Sequence, residues 1–204
     1  VDGLSRTARR TRNALLDSAL ALFEERGFDS VTVEEIAARA GVAKGSFYTY
    51  FSTKSDIIVA EFRRIDDFYA EYASGNLARG GTAREKLLAF TRAQMGYVRD
   101  VVGIRNLKIL YANQTLQPGS DKIITDGKRQ WVAIVAAIIA EGQERGEFRT
   151  DLDAEALALL FNRSARAVFL DWCILDASFD LVEEGLSFQG EWIMAALQHT
   201  PHMP

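Results

Sequence analysis

The stretch from Ala43 to Lys54 gathers ammonium and hydroxyl groups: Lys44, Ser46, Tyr48, Thr49, Tyr50 and Lys54, with Ala43 and Gly45 among them. Cations and hydroxyls bind phosphate oxygens, and short side chains let a helix approach base edges closely. Upstream runs Ile36-Ala37-x-x-Ala40-Gly41-Val42-x-x-x-x-Phe47. Ala37 is small where two helix axes would cross, Gly41 supplies the positive φ of a tight turn, and Val42 and Phe47 close a core beneath. That is helix-turn-helix spacing, which sends the second helix into a major groove. Ala43, Lys44, Gly45, Ser46 and Thr49 are then predicted to face base edges. Tyr48, Tyr50, Lys54 and the helix start at Thr32 are predicted to hold phosphates. Each piece alone has a plainer reading: a helical hairpin, semi-buried tyrosines, a solvated lysine.

The elements that must position these groups read as helices. Ala14, Leu15, Ala19, Leu22 and Phe23 share one face of a helix over Arg9–Arg26, which Gly27 would end. Thr32-Val33-Glu34-Glu35 is a capping box opening a short second helix, and a third spans Lys44–Tyr50. Thr53-Lys54-Ser55-Asp56 repeats the box pattern before a long fourth helix carrying Ile58, Phe62, Ile65 and Tyr72. A glycine-rich linker is expected over Ser74–Gly81, and another box at Thr82-Ala83-Arg84-Glu85 starts a fifth helix. Further helices are expected over Ile104–Thr115, Asp121–Gly142, Asp153–Ala177 and Asp180–Gln198, with a break at Pro118-Gly119-Ser120. The fold class is therefore all-α with about nine helices: a three-helix head over residues 1–53 and a helical body over 54–204.

The segment from Thr32-Val33-x-x-Ile36-Ala37-x-x-Ala40-Gly41-Val42 through Ala43-Lys44-Gly45-Ser46-Phe47-Tyr48-Thr49-Tyr50-Phe51-Ser52-Thr53-Lys54 resembles the signature of the tetracycline-repressor (TetR) family of bacterial regulators. The resemblance covers roughly residues 9–60. It implies a DNA-binding head, a ligand-binding and dimerising body, double-stranded operator DNA as partner and a small-molecule effector. Phe47, where the family often has Leu, keeps the apolar character. The body carries no motif that points to a subfamily.

Aromatic residues are dense in the body, with Asn106, Asn113, Gln114 and Asn162 interleaved among them; the resemblance implies a cavity among helices four to eight, with Phe68, Tyr72, Met95, Tyr111 and Trp131 as its expected lining, although each taken singly reads first as core. Their chemistry suits an apolar or aromatic effector. Apolar stripes containing Leu157, Phe161 and Val168, and Val182, Leu186 and Ile193, are interrupted by Ala165, Gly185 and Gly190. By the resemblance these helices form a homodimer interface; packing inside one subunit is the alternative. The fourth helix, running from Lys54 to Tyr72, would link pocket and head. Arg6, Arg9, Arg10 and Arg12 crowd a helix start, where positive charge is unfavourable without an anion, so DNA or solvent must balance them.

Composition bounds the rest. The chain has 204 residues, 48% of them hydrophobic and 25% charged, as in a globular protein. Its net charge is −4, yet the first 64 residues carry 10 Lys and Arg against 9 Asp and Glu, so the acidity sits in the body. No apolar run is long enough to span a bilayer. Cys173 stands alone, which excludes an intrachain disulfide and fits a reduced, cytoplasmic setting. The only histidines, His199 and His202, lie in the C-terminal tail, and no glycine-rich phosphate loop or Cys/His pattern appears, so neither an enzyme, a cofactor nor a metal is expected. The expectation is a ligand-released dimeric repressor on a pseudo-palindromic operator. A ligand-insensitive architectural DNA-binding protein is the alternative.

Overall fold

The computed structural model describes residues 5–77, 80–116 and 122–198. Pro118, Gly119, Ser120, His199 and His202 lie outside the described residues. Helix α1 (Arg6–Arg26) is capped by Ser5, whose Oγ accepts from Ala8 N at 3.2 Å. It starts three residues earlier than periodicity indicated, because the cap precedes the apolar pattern. Gly27, at φ 82°, ends it. At α2 (Val33–Arg39) the predicted capping box forms: Thr32 N donates to Glu35 Oε2 at 2.8 Å and Glu35 N to Thr32 Oγ1 at 3.2 Å. The helix closes in a Schellman turn, with Val42 N on Ala37 O at 3.0 Å and Gly41 N on Ala38 O at 3.1 Å. Gly41 sits at φ 69°, where a side chain would be strained.

Helix α3 (Lys44–Tyr50) packs on α2 and α1 and buries Phe47 completely, its ring 5.5 Å from that of Phe51; Leu15, Leu16, Ala19 and Ile36 of α1 and α2 are buried as well. Bidentate Arg39–Glu25 (2.7 Å) and Arg26–Glu35 (2.6 Å) brace α1 to the second helix. Both pairs are exposed, so they orient more than they stabilise.

Helix α4 (Ser55–Asn76) passes from head to body and buries Ile57, Ile58, Val59 and Ala60 consecutively before Phe62, Ile65 and Tyr69. A helix buried on successive residues is enclosed on several sides. It continues through Ser74 and Gly75, where a linker was expected, because Leu77 docks in the core and donates its N–H to Ala73 O. Packing there overrides weak helix propensity.

Helix α5 (Ala83–Tyr97) opens on the Thr82–Glu85 box and runs into a π-helical stretch, Val98–Val102, which Gly103 terminates at φ 72°. Helix α6 spans Gly103–Leu116. The helix expected from Asp121 begins only at Gln130: Asp126 Oδ1 accepts from Lys128 N at 2.9 Å, and the resulting turn separates a short 3-10 segment, Ile123–Thr125, from α7 (Gln130–Glu144). Helix α8 (Ala154–Ile174) takes the Asp153 cap, with Ala156 N on Asp153 Oδ1 at 2.7 Å. Asp176 and Ala177, both at positive φ, turn the chain into α9, which runs from Leu181 through a π-helical stretch, Phe188–Ile193, to Leu197. Among the described residues there is no strand, and no helix is long and apolar enough to cross a membrane.

Candidate functional site

Helix α3 presents its polar face outward. Ala43, Lys44, Gly45, Tyr48 and Thr49 are exposed, Ser46 and Tyr50 are half-buried, and open space surrounds the Gly45 α-carbon. These are seven of the residues expected at base edges and phosphates, and none of them is buried. Lys44 pairs with Glu34 of α2, whose carboxyl it holds below the usual range. Both groups are exposed, so phosphate or a base edge can compete for the ammonium. Thr32 is exposed, but its hydroxyl and amide are engaged in the capping box with Glu35.

Lys54 departs from its expected place. Its Nζ donates to the carbonyls of Phe28 at 2.6 Å, Val31 at 3.0 Å and Asp29 at 3.3 Å, and lies 4.4 Å from the centre of the Phe28 ring. An ammonium has three protons, and all three are committed to the turn between α1 and α2. The group expected to hold phosphate therefore ties the start of α4 to the head. The expected box at Thr53 is half formed: Asp56 Oδ2 accepts from Thr53 N at 2.8 Å, while the Thr53 hydroxyl turns to Ser55 Oγ. Ser55 Oγ in turn accepts from Asn113 Nδ2 of α6 at 2.9 Å. Arg6, Arg9 and Arg10 line an open, shallow face of α1, and Arg12 stacks over the Phe51 ring.

In the body, a narrow cavity lies between α4, α5, α6, α7 and α8, with room of about 20 Å3, close to that of one water. Of the five residues expected to line a pocket, Tyr111 and Trp131 do so. Phe68 and Tyr72 belong instead to an aromatic cluster with Tyr97 and Phe90, and the Tyr72 hydroxyl donates to Ala89 O. Met95 is fully buried against α9: a methyl group at Gly185 would stand 2.8 Å from its Cγ. That same contact shows what the small residue on α9 accommodates, namely α5 of its own chain.

Of the cavity's polar lining, Asn162 falls among the polar residues interleaved with the body's aromatics in sequence, while Gln94, Arg129 and Arg166 were not foreseen. Arg129 donates to Asp66 of α4 at 2.8 and 3.0 Å and stacks over Phe62 of the same helix. The cavity wall is thereby clamped to α4. Burial pushes the phenols of Tyr69 and Tyr111 well above their usual range, so both stay neutral. Burial also raises the Cys173 thiol to about 11, which leaves it unreactive at neutral pH. Of these three, Arg166 alone carried a legible signal, a charge inside the stretch Ser164-Ala165-Arg166-Ala167-Val168.

The expected interface residues are mostly core. Leu157, Phe161, Val168 and Val182 are buried within the chain, and Leu186 and Ile193 are half-buried against that core. Periodicity located an apolar face correctly but could not tell which neighbour covers it. The apolar side chains left exposed on these helices are Leu160, Leu170, Ile174 and Trp192, the last 72% exposed.

Residues 15–60 match the model of the tetR family of bacterial regulatory proteins, and residues 69–189 match that of the C-terminal region of YsiA-like proteins. The transcriptional repressor KstR2 of Rhodococcus jostii is 30% identical over 176 residues, covering 84% of this chain and 82% of that protein. Among solved structures, the transcriptional regulator FadR of Bacillus subtilis in complex with stearoyl-CoA is 26% identical with a TM-score of 0.63, covering 86% of this chain and 96% of that one. FadR of Thermus thermophilus in complex with lauroyl-CoA has a TM-score of 0.74 at 23% identity, covering 95% and 98%.

Proposed function

This chain belongs to the TetR family of bacterial regulators, and from that premise we propose that it is a dimeric repressor whose operator complex is released when an amphiphilic small molecule enters the body cavity. It is a DNA-binding transcriptional regulator and not an enzyme. Ala43, Lys44, Gly45, Ser46 and Thr49 read base edges, while Thr32, Tyr48 and Tyr50 flank them at the backbone. Lys54 holds the turn that positions them.

The observation that carries the release mechanism is the Arg129–Asp66 clamp. Phe62 and Tyr69 of α4 and Arg129 of the loop before α7 share a cavity with room of about 20 Å3. An effector of any size must push those walls apart, and the wall that moves with Asp66 is the helix whose first turn is tied to the head through Lys54. A ligand that binds the displaced position of α4 more tightly shifts the population toward heads out of register with DNA. The FadR relative's stearoyl-CoA makes long acyl thioesters the first class to test. Exposed Leu160, Leu170 and Ile174, spaced along one face of α8, together with Trp192 of α9, supply the contact across a two-fold axis.

The test is fluorescence anisotropy with a labelled pseudo-palindromic duplex selected from random sequence. Saturating stearoyl-CoA should release the duplex, whereas the same titration with free CoA should not. Retention of the duplex under saturating stearoyl-CoA and a panel of shorter acyl thioesters would favour the ligand-insensitive architectural reading.

A further inference from the structure

Three buried side-chain atoms among the described residues have no hydrogen-bond partner: Gln94 Oε1, Trp131 Nε1 and Arg166 Nε. All three residues line the same cavity, the one between α4, α5, α6, α7 and α8. A buried polar atom without a partner is costly, and native proteins hold few of them. Their convergence from α5, α7 and α8 on a single cavity is the pattern of a site built for a polar guest. Gln94 and Trp131 are 4% and 2% exposed, so bulk water does not satisfy them.

The chemistry of the three atoms defines the guest. Indole Nε1 and guanidinium Nε are donors only. Two unpartnered N–H groups from the wall of one cavity call for an acceptor oxygen with two lone pairs. Gln94 offers an acceptor to a polar hydrogen, or a third donor if its amide turns. The other walls, Leu107, Leu110, Ile124, Val132 and Phe169, are apolar. Arg129, also on the wall, gives two of its five N–H groups to Asp66. We infer that Trp131 and Arg166 bind the carbonyl oxygen of a chain-bearing acyl compound, and that this contact lets the effector site distinguish an acyl head from an oxygen-free chain. The inference rests on the effector-cavity reading above and adds to it the group that is recognised.

The experiment uses the full chain and four probes of matched length: octan-2-one, octanoate, octanoyl-CoA and 1-chlorooctane, each titrated calorimetrically into wild type, Trp131→Phe and Arg166→Met. The carbonyl probes should bind wild type at least tenfold more tightly than 1-chlorooctane, about what one buried hydrogen bond supplies. Each variant should lose most of that margin while its affinity for 1-chlorooctane stays the same. Circular dichroism of the variants separates a lost contact from a lost fold. If a variant unfolds, Trp131→Tyr and Arg166→Lys replace it with the same expectation of a reduced margin. Octanoyl-CoA binding more tightly than octanoate assigns the carbonyl to a thioester, and the reverse assigns it to a free carboxylate; either outcome supports the contact. Equal affinity for probes with and without oxygen, or a margin unchanged in both variants, would overturn this inference alone. No binding by any of the four would overturn the effector-cavity reading and this inference with it.

Discussion

Replacing Lys54 by Met removes the ammonium while keeping much of the apolar stem. The lost interactions are the bonds to the carbonyls of Phe28, Val31 and Asp29 and the stacking on the Phe28 ring. A hydrogen bond from a charged donor contributes about 1.5–3 kcal/mol, and an exposed cation–π contact about 0.5–1 kcal/mol. One ammonium serves all three carbonyls and the Asp29 bond is exposed, so the contributions overlap; a net loss of about 2–3 kcal/mol is the working figure. For a chain of this size that lowers Tm by roughly 4–12 °C. Thermal melts followed by circular dichroism measure it directly. Salt dependence of duplex binding supplies the second readout. A strut leaves the log–log slope unchanged, whereas a phosphate ligand makes it shallower by about one unit on removal. An unchanged Tm with a shallower slope would refute the strut and restore Lys54 to the phosphate backbone.

Glu35 titrates at about 2, held down first by the Thr32 amide and then by Arg26 and the Thr32 hydroxyl, against an ordinary value of 4.5. Its depressed folded value means the box stabilises the head above pH about 4.5 and is lost as pH falls toward 2, so Glu35→Gln should show a shallower acid melt through that window. Ile174→Glu on the exposed face of α8 should give a folded monomer by light scattering, because paired carboxylates across a two-fold axis repel. Val168→Glu, buried in the chain, should instead abolish the thermal transition. Gly142→Ala would place a methyl group against the Phe148 ring and 2.8 Å from Ala83 Cβ, and should lower stability by about 1–3 kcal/mol in urea unfolding.

The head was legible because its signals are local. Thr32 and Glu35 recognise each other three residues apart, Gly41 needs its positive φ whatever lies around it, and Phe47 falls on the buried face of a seven-residue helix. The helix order of the body followed from periodicity, which also marked Val168 and Val182 as apolar-face residues. Which surface covers that face is a tertiary question: α5 packs on α9, setting Met95 on Gly185, while α8 packs on α7. Lys54 shows the same limit: a lysine near a DNA-facing helix and a lysine reaching back to three carbonyls look alike in sequence. Gln94, Arg129 and Arg166 stand 72 residues apart along the chain at the extremes and converge only when α5, α7 and α8 pack. No spacing rule brings them together.

The central claim, that a guest in the body cavity and DNA at the head compete through the position of α4, is tested most directly by linkage. Stearoyl-CoA is titrated calorimetrically into the protein alone and into the protein saturated with the selected duplex, and the duplex affinity is measured with and without stearoyl-CoA. Binding free energies coupled through one helix are reciprocal. The duplex should weaken stearoyl-CoA binding by at least tenfold, and by the same factor as stearoyl-CoA weakens the duplex complex. Equal stearoyl-CoA affinity with and without the duplex would contradict the coupling through α4.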